Sequence, residues 1–226
     1  MRVGLIGLGG MGNVHNGCLK ALSGVTDVEV TALADVRSEF LAEAAALWPD
    51  AARYETGMEL LDKADVDLVH ICLPSYLHAS HAVRAMQKGM NVMLEKPACL
   101  TEEECRLLSD TQRETGAKVM IGQVLRSFRE YQYLKRAHDD GRFGRLRSIV
   151  MQRVSGDVTW GYDDWFHDAA RSGSVVLDLH IHDADFLRYM LGEPDDVKVT
   201  EATRFYGGVV NHIVTSYRFG NVQAVA

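Results

Sequence analysis

The sequence lacks any run of 18 apolar residues, which excludes a membrane-spanning helix from what is visible. Cysteine is sparse. Cys18, Cys72, Cys99 and Cys105 are scattered with no C-x-x-C pair, so neither a disulfide framework nor a zinc knuckle is expected, and the thiols read as reduced. There is no excess of base: 24 Lys and Arg stand against 31 Asp and Glu, a net charge of −7, which argues against a nucleic-acid surface. Internal repeats and low-complexity segments are absent. So is signal-peptide anatomy, since the chain opens directly on the strand-like "RVGLIG". A cytoplasmic location is the expectation.

What is present is ordinary for a globular protein, 47% hydrophobic and 24% charged over 226 residues, enough for one large domain or two small ones. Over residues 1–125, apolar strands (2–7, 28–35, 67–74, 91–96, 117–126) alternate with helical segments (about 12–22, 37–47, 78–89, 101–116). Thr101 and Glu104 have capping-box spacing, and Gly116 stands at a C-cap position. Alternating βα units with near-continuous apolar strands predict a doubly wound parallel sheet. Residues 126–226 read differently. A helix over 128–141, a strand over 144–154, a Trp/Asp-rich loop, a helix over 174–191 and two β-type runs with a Gly-Asn turn predict a second, α+β domain with a mostly antiparallel sheet. The expected domains are therefore 1–125 and 126–226.

"GLGGMG" places Gly7, Gly9 and Gly12 in G-x-G-x-x-G spacing between a strand and a helix, where a pyrophosphate binds over glycines at a helix N-terminus. Asp35 ends the second strand, where an acid meets ribose hydroxyls and repels a 2′-phosphate. This favours NAD, while Arg37 two residues later leaves NADP open.

"SGSVVLDLHIHDADFLRYMLG" (172–192) sets charged groups in an apolar run, and such groups need partners. On a continuous helix over 176–191, Asp178, His182, Asp185 and Tyr189 fall within a stripe about 60° wide, and His180 points into the apolar arc. The stripe has three readings: a satisfied structural network, a metal site for which no further strong ligand is evident, and acid/base chemistry with His182 as the proton carrier. His180 reads as a packed, hydrogen-bonded histidine, and Asp185 as a brace. Lys96 ends a parallel strand, where such sheets bind ligands; the alternative is a lysine reaching to solvent. Arg126, Trp160, Trp165 and His167 lie where substrate contacts or a packing lid are both open.

Together, "GLGGMG", "CLPSYLH" (72–78), "EKP" (95–97) and "DLHIHDAD" (178–185) resemble the Gfo/Idh/MocA oxidoreductases in order and spacing across essentially the whole chain. The resemblance implies a Rossmann domain followed by an open-sheet domain, and hydride transfer between NAD(P) and a CH–OH of a sugar or cyclic polyol. It implies cofactor contacts at Gly7, Gly9, Met11, Gly12, Asp35, Arg37, Leu73, Ser75, His78, Glu95 and Lys96. It also implies catalysis by Lys96, Asp178 and His182, with Asp178 and His182 on the substrate; by their positions Arg126 and Trp165 are expected as further substrate contacts, and for want of a further ligand no metal is expected. An N-terminal helix histidine facing solvent is the other reading of His78. Two residues depart from the family pattern: Ser75 stands where Asn is common, and His180 where Gly is common. Family members are longer, so a C-terminally shortened second sheet and homo-oligomerisation through it are expected. Two other functions stay open on this reading, a dinucleotide-sensing regulator and a catalytically incomplete family member.

Overall fold

Alternating burial builds the first sheet. β1 (Arg2–Ile6) turns Val3 and Leu5 to one face and Ile6 to the other, and all three are fully buried. Two-sided burial of this kind requires helices on both faces. A computed structural model describes residues 1–204 and 209–226, in two units, 1–122 and 123–226. In the first, β1 is followed by α1 (Gly10–Ser23), β2 (Glu29–Ala34), α2 (Ser38–Ala45), β3 (Ala52–Tyr54) and α3 (Gly57–Lys63). Then come β4 (Leu68–Ile71), α4 (His78–Gln87), β5 (Asn91–Leu94), α5 (Glu102–Thr115) and β6 (Val119–Ile121). All neighbouring strands are parallel, in the order β3-β2-β1-β4-β5-β6. This is the Rossmann arrangement expected from the βα alternation. Strand order reverses between β1 and β4, and ligands of such sheets bind beyond the C-terminal strand ends at that point.

One face is covered through Ile6, Leu60, Leu61, Ile71, Met86 and Leu94, and the other through Leu5, Leu19, Leu33 and Trp48. The capping box on α5 forms as its spacing predicts, and Gly116 closes the helix in the left-handed region at φ 69°. β3 and α3 carry too few residues for a periodicity to register; α3 is set by Thr56, whose hydroxyl accepts the Glu59 N–H at 3.1 Å.

In the second unit, α6 (Arg129–Asp139) and β7 (Ser148–Val150) precede α7 (Ala169–Ser172), α8 (Ser174–Asp178) and α9 (Ile181–Leu191). The strands β8 (Asp196–Thr203), β9 (His212–Phe219) and β10 (Val222–Val225) complete a sheet in the order β7-β10-β9-β8. Its β8/β9 and β9/β10 pairs are antiparallel and its β10/β7 pair is parallel. The Gly-Asn turn joins β9 to β10, with Gly220 at φ 57°. Leu187 of α9 packs with Tyr217, Phe219 and Ala224 of the sheet. The strand expected over 144–154 is ordered as a ladder only at 148–150. The β-type run expected to continue to 208 forms β8 as far as Thr203, and its positions 205–208 lie outside the described residues. Among the described residues, no helix is long and apolar enough to cross a membrane.

The single helix expected over 174–191 is two. The His180 N–H donates to Val175 O, five residues back, at 2.8 Å, between α8 and α9. A turn widened by one residue moves the helical phase by about 100°. Beyond the break, the residue that follows Asp178 on one face is therefore Asp183, five residues on, in place of His182. The continuous polar stripe of the sequence reading is divided at that turn.

Candidate active site

The glycine turn is shaped by close backbone approaches. Gly7 has φ 82°, and a Cβ there would lie 2.6 Å from Cys72 O. At Gly12 a Cβ would lie 1.8 Å from Gly7 O, so only glycine permits the crossing of α1 over the strand end. No side chain caps the N-terminus of α1, and its first turn holds no acid. A helix end left in this state suits an anion. Asp35, buried, accepts the Leu8 N–H at 2.7 Å, which fixes the glycine turn, and the Arg37 N–H at 2.9 Å. The Arg37 guanidinium lies against Asp35 at 3.2 Å and over the Phe40 ring at 3.9 Å, and its Nη2 stands 3.0 Å from where a Gly9 Cβ would be. Acid and base thus share one corner of the glycine turn. Glycines that leave no room for a side chain, an uncapped helix end and an anchored acid fit a dinucleotide. Met11 is exposed in the first turn of α1.

Lys96 stands two residues past the end of β5, after Glu95, and the Lys96–Pro97 peptide bond is cis. The side chain of buried Glu95 accepts the Lys96 N–H at 3.1 Å and bonds His15 Nε2 at 2.9 Å. His15 Nδ1 lies 2.9 Å from His70 Nδ1. Burial pushes the Glu95 carboxyl up, but the hydrogen bond and charge of His15, with the Lys96 amide and ammonium, outweigh it and hold Glu95 below its ordinary value. Burial and the neighbouring His15 push His70 down to about 4, against a weaker opposing pull from Glu95. This chain of contacts ties α1, which opens at the glycine turn, to the strand end that carries Lys96. Sequence reasoning missed His15 and His70. The available signal was a histidine three residues after Gly12, on the helix that crosses the strand ends.

His78 is buried, and does not face solvent as one sequence reading allowed. Its Nδ1 lies 2.6 Å from Pro97 O and its Nε2 2.7 Å from Leu73 O. Both ring nitrogens face backbone carbonyls, and the one that carries the proton donates to its carbonyl, so His78 braces the loop after β4 against the loop after β5. Burial pushes it down, and the two carbonyls and Glu95 oppose that. Ser75 is buried at the start of the 3-10 turn Ser75–Leu77.

In the second unit, a cavity of about 830 Å³ is walled by residues including Arg153, Trp160, His167, Asp178, His180 and Asp183. Asp183 is 3% exposed and takes a two-pronged ion pair from Arg153, at 2.8 and 3.2 Å. His180 bonds the Tyr217 hydroxyl at 2.7 Å, the packed role expected of it, and burial lowers its pKa. His167 sits between Asp157 and Asp164, whose hydrogen bonds raise its pKa. His182 stands half-buried in the first turn of α9, and among the described residues it is not part of the cavity wall.

Arg126 is held by Asp185 through two bonds, at 2.6 and 2.8 Å, and stacks on Tyr189 at 5.1 Å. Asp185 thus has a partner in Arg126, as a charged group in the apolar run requires. Trp165 is 9% exposed and stacked on Phe166 with ring centroids 3.8 Å apart, whereas Trp160 is 66% exposed and lines the cavity. An indole packed in this way has given its apolar face to the protein, so Trp160 is better placed than Trp165 to meet a ligand. Among the described residues, no group of three His, Cys, Asp or Glu is arranged to hold a metal ion.

Residues 1–123 match the oxidoreductase family with an NAD-binding Rossmann fold, and residues 131–226 match the GFO/IDH/MocA C-terminal domain. The inositol 2-dehydrogenase of Rhizobium meliloti (strain 1021) is 34% identical over 207 residues, which are 89% of this chain and 58% of that protein. The D-glucoside 3-dehydrogenase of Escherichia coli (strain K12) is 26% identical over 197 residues, 86% of this chain and 55% of that protein. The WlbA dehydrogenase from Bordetella pertussis, crystallised with NADH and UDP-GlcNAcA, shares the fold at a TM-score of 0.88 and 23% identity, covering 100% of this chain and 68% of that one. The chain spans less than two thirds of the length of these curated relatives. With a glycine turn built for a dinucleotide and both family domains matched in order, the chain belongs to the Gfo/Idh/MocA family of NAD-binding oxidoreductases.

Proposed function

We propose that the chain is a nicotinamide-dependent dehydrogenase acting on a CH–OH group of a sugar or cyclic polyol. The observation that carries this is the His15–Glu95–Lys96 connection. It joins the helix of the glycine turn to a lysine at the C-terminal edge of the parallel sheet, where such folds do their chemistry. The dinucleotide, when bound, supplies the hydride acceptor. Gly7, Gly9, Met11 and Gly12 would receive it over the N-terminus of α1, with Asp35 on the ribose side and Leu73 and Ser75 in the loop after β4. Lys96 then has the task of stabilising negative charge on the reacting oxygen. His182 takes up the hydroxyl proton, and Asp178 orients the group that carries it. These three roles rest on the E-K-P and D-x-x-x-H motifs. Arg126 and Trp165 belong in this reading as residues that shape the substrate side from behind, through Asp185 and Phe166.

NAD is the preferred dinucleotide in this reading, because backbone N–H groups anchor the Asp35 side chain at the ribose corner. Arg37 beside it moderates the rejection of a 2′-phosphate. Self-association through the second sheet is part of the same proposal. β8 is an edge strand whose Val197 and Val199 are more than half exposed, and edges of that kind pair with other strands. A cytoplasmic location is proposed on the same footing.

The test is a screen of cyclic polyols and sugars with NAD and NADP in parallel, following absorbance of the reduced nicotinamide. Turnover of a cyclic polyol or sugar, faster with NAD at equal concentration, is the expected result. Tight dinucleotide binding with no turnover of any CH–OH substrate would instead favour the sensing role.

A further inference from the structure

Cys99 and Cys105 take no part in the reading above. Cys99 is buried in the loop between Pro97 and α5, and Cys105 is exposed in the second turn of α5. Their sulfur atoms are 2.7 Å apart. A disulfide bond is about 2.05 Å long, so about 0.65 Å of approach separates this contact from a covalent one. The intervening backbone is already folded back on the helix. The Leu100 N–H donates to Glu104 Oε2 at 2.8 Å, and the Glu104 N–H donates to Thr101 Oγ1 at 3.2 Å. The capping box that starts α5 therefore also holds the two sulfurs face to face.

We propose that Cys99 and Cys105 are a reversible redox modification site, closing to an intrachain disulfide with a small-molecule disulfide such as oxidised glutathione as the oxidant. Cys105 is the sulfur that solvent reaches. Its thiolate attacks one sulfur of the oxidant, forming a mixed disulfide and expelling one small thiolate, which takes up a proton. Cys99 then gives its proton to a solvent base and attacks the Cys105 sulfur, and the second small thiolate leaves and is protonated. Two protein thiols are oxidised, and one small disulfide is reduced to two thiols. Burial first, and then the facing Cys105 thiol, push Cys99 up to about 12, so it is inert alone. Cys99 has a disulfide sulfur to attack only once Cys105 carries the mixed disulfide, which orders the two steps. Once closed, the bridge fastens the segment after Lys96 to α5.

The full chain is incubated with mixtures of oxidised and reduced glutathione, quenched by alkylation and digested with trypsin. Cleavage after Lys88 and Arg106, with the Lys96–Pro97 bond resistant, places both cysteines in one peptide, residues 89–106. The expected product is that peptide lighter by two hydrogens and carrying no alkyl group, restored to the doubly alkylated form by dithiothreitol. Exposed Cys18 should carry glutathione under the same conditions. Cys105→Ser, at an exposed position, should leave Cys99 reduced and free of glutathione in the native protein. Cys99→Ser should stop at a glutathione adduct on Cys105. The proposal is overturned if the wild-type chain also stops at a Cys105 adduct, or if both thiols stay reduced while Cys18 is fully modified.

Discussion

Glu95 is the residue through which α1 and Lys96 are joined, and its replacement separates two effects. In Glu95→Ala, His15 Nε2 and the Lys96 N–H both lose their acceptor, and the pocket between them is nearly closed to water, with Glu95 and His15 side chains 7% and 11% exposed. Removing one member of a buried pair costs about 3–5 kcal/mol. Glu95→Gln keeps the shape and one carbonyl oxygen. It exchanges a charge-assisted bond for a neutral one, a loss of about 1–2 kcal/mol. For a chain of this size that converts to a Tm lower by about 6–20 °C for Ala and about 2–8 °C for Gln. The sign with pH follows from the depressed carboxyl. Its stabilisation is fully present above the ordinary glutamate range and is lost as pH falls through the lower folded value, so wild type and Glu95→Gln should converge in acid. Thermal denaturation at pH 7 and below pH 4, with dinucleotide titration alongside, reads both effects. A Glu95→Ala variant as stable as wild type at neutral pH would refute the reasoning.

His70, held near a pKa of about 4 against an ordinary 6.5, should cost the wild type up to about 3 kcal/mol as pH falls from 6.5 to 4, because the unfolded chain binds the proton first; His70→Gln should flatten that slope in urea melts across the range. Asp35→Ala removes the acceptor of the Leu8 N–H and should weaken NAD by about tenfold while weakening NADP less, measured by calorimetric titration; equal losses would assign Asp35 to loop structure alone. For Arg126 and Asp185, half exposed on the arginine side, a double-mutant cycle should give a coupling of about 0.5–1 kcal/mol in stability. If Arg126 shapes the substrate side through that pair, Arg126→Ala and Asp185→Asn should raise KM by similar factors, and a far larger effect of Arg126→Ala would indicate direct contact with substrate.

The Rossmann unit was legible because its signals are local. Most of its strands are short apolar runs, α5 carries its capping box and closing glycine in sequence, and Gly7, Gly12 and Asp35 stand at fixed offsets from β1. The corner they form could be read without knowing what lies across it. Partners distant in sequence could not. Arg153 meets Asp183 over 30 residues, and His15 meets Glu95 over 80. Nothing in one sequence orders such pairs, although the presence of acids in the apolar run 177–191 correctly signalled that cations or hydroxyls must face them. The split of α8 from α9 was hidden for another reason. Helical composition is uniform through it, so nothing local marks the five-residue bond at His180, whose ring and the nearby Asp183 bind partners distant in sequence. The Trp/Asp-rich loop left open which indole packs and which faces outward; the stacking of Trp165 on Phe166 and the exposure of Trp160 decided that.

The most direct test of the account compares wild type, Lys96→Ala and His182→Ala in steady-state dehydrogenase assays on the best cyclic polyol found, with NAD affinity measured separately by fluorescence titration. Both variants should lose kcat by roughly 10²–10⁴, the usual worth of a positioned charge or acid/base group. His182→Ala should hold its NAD affinity within about threefold, since its task is on the hydroxyl proton. A His182→Ala enzyme with near-normal kcat would contradict the assignment and leave the 172–192 segment a structural network.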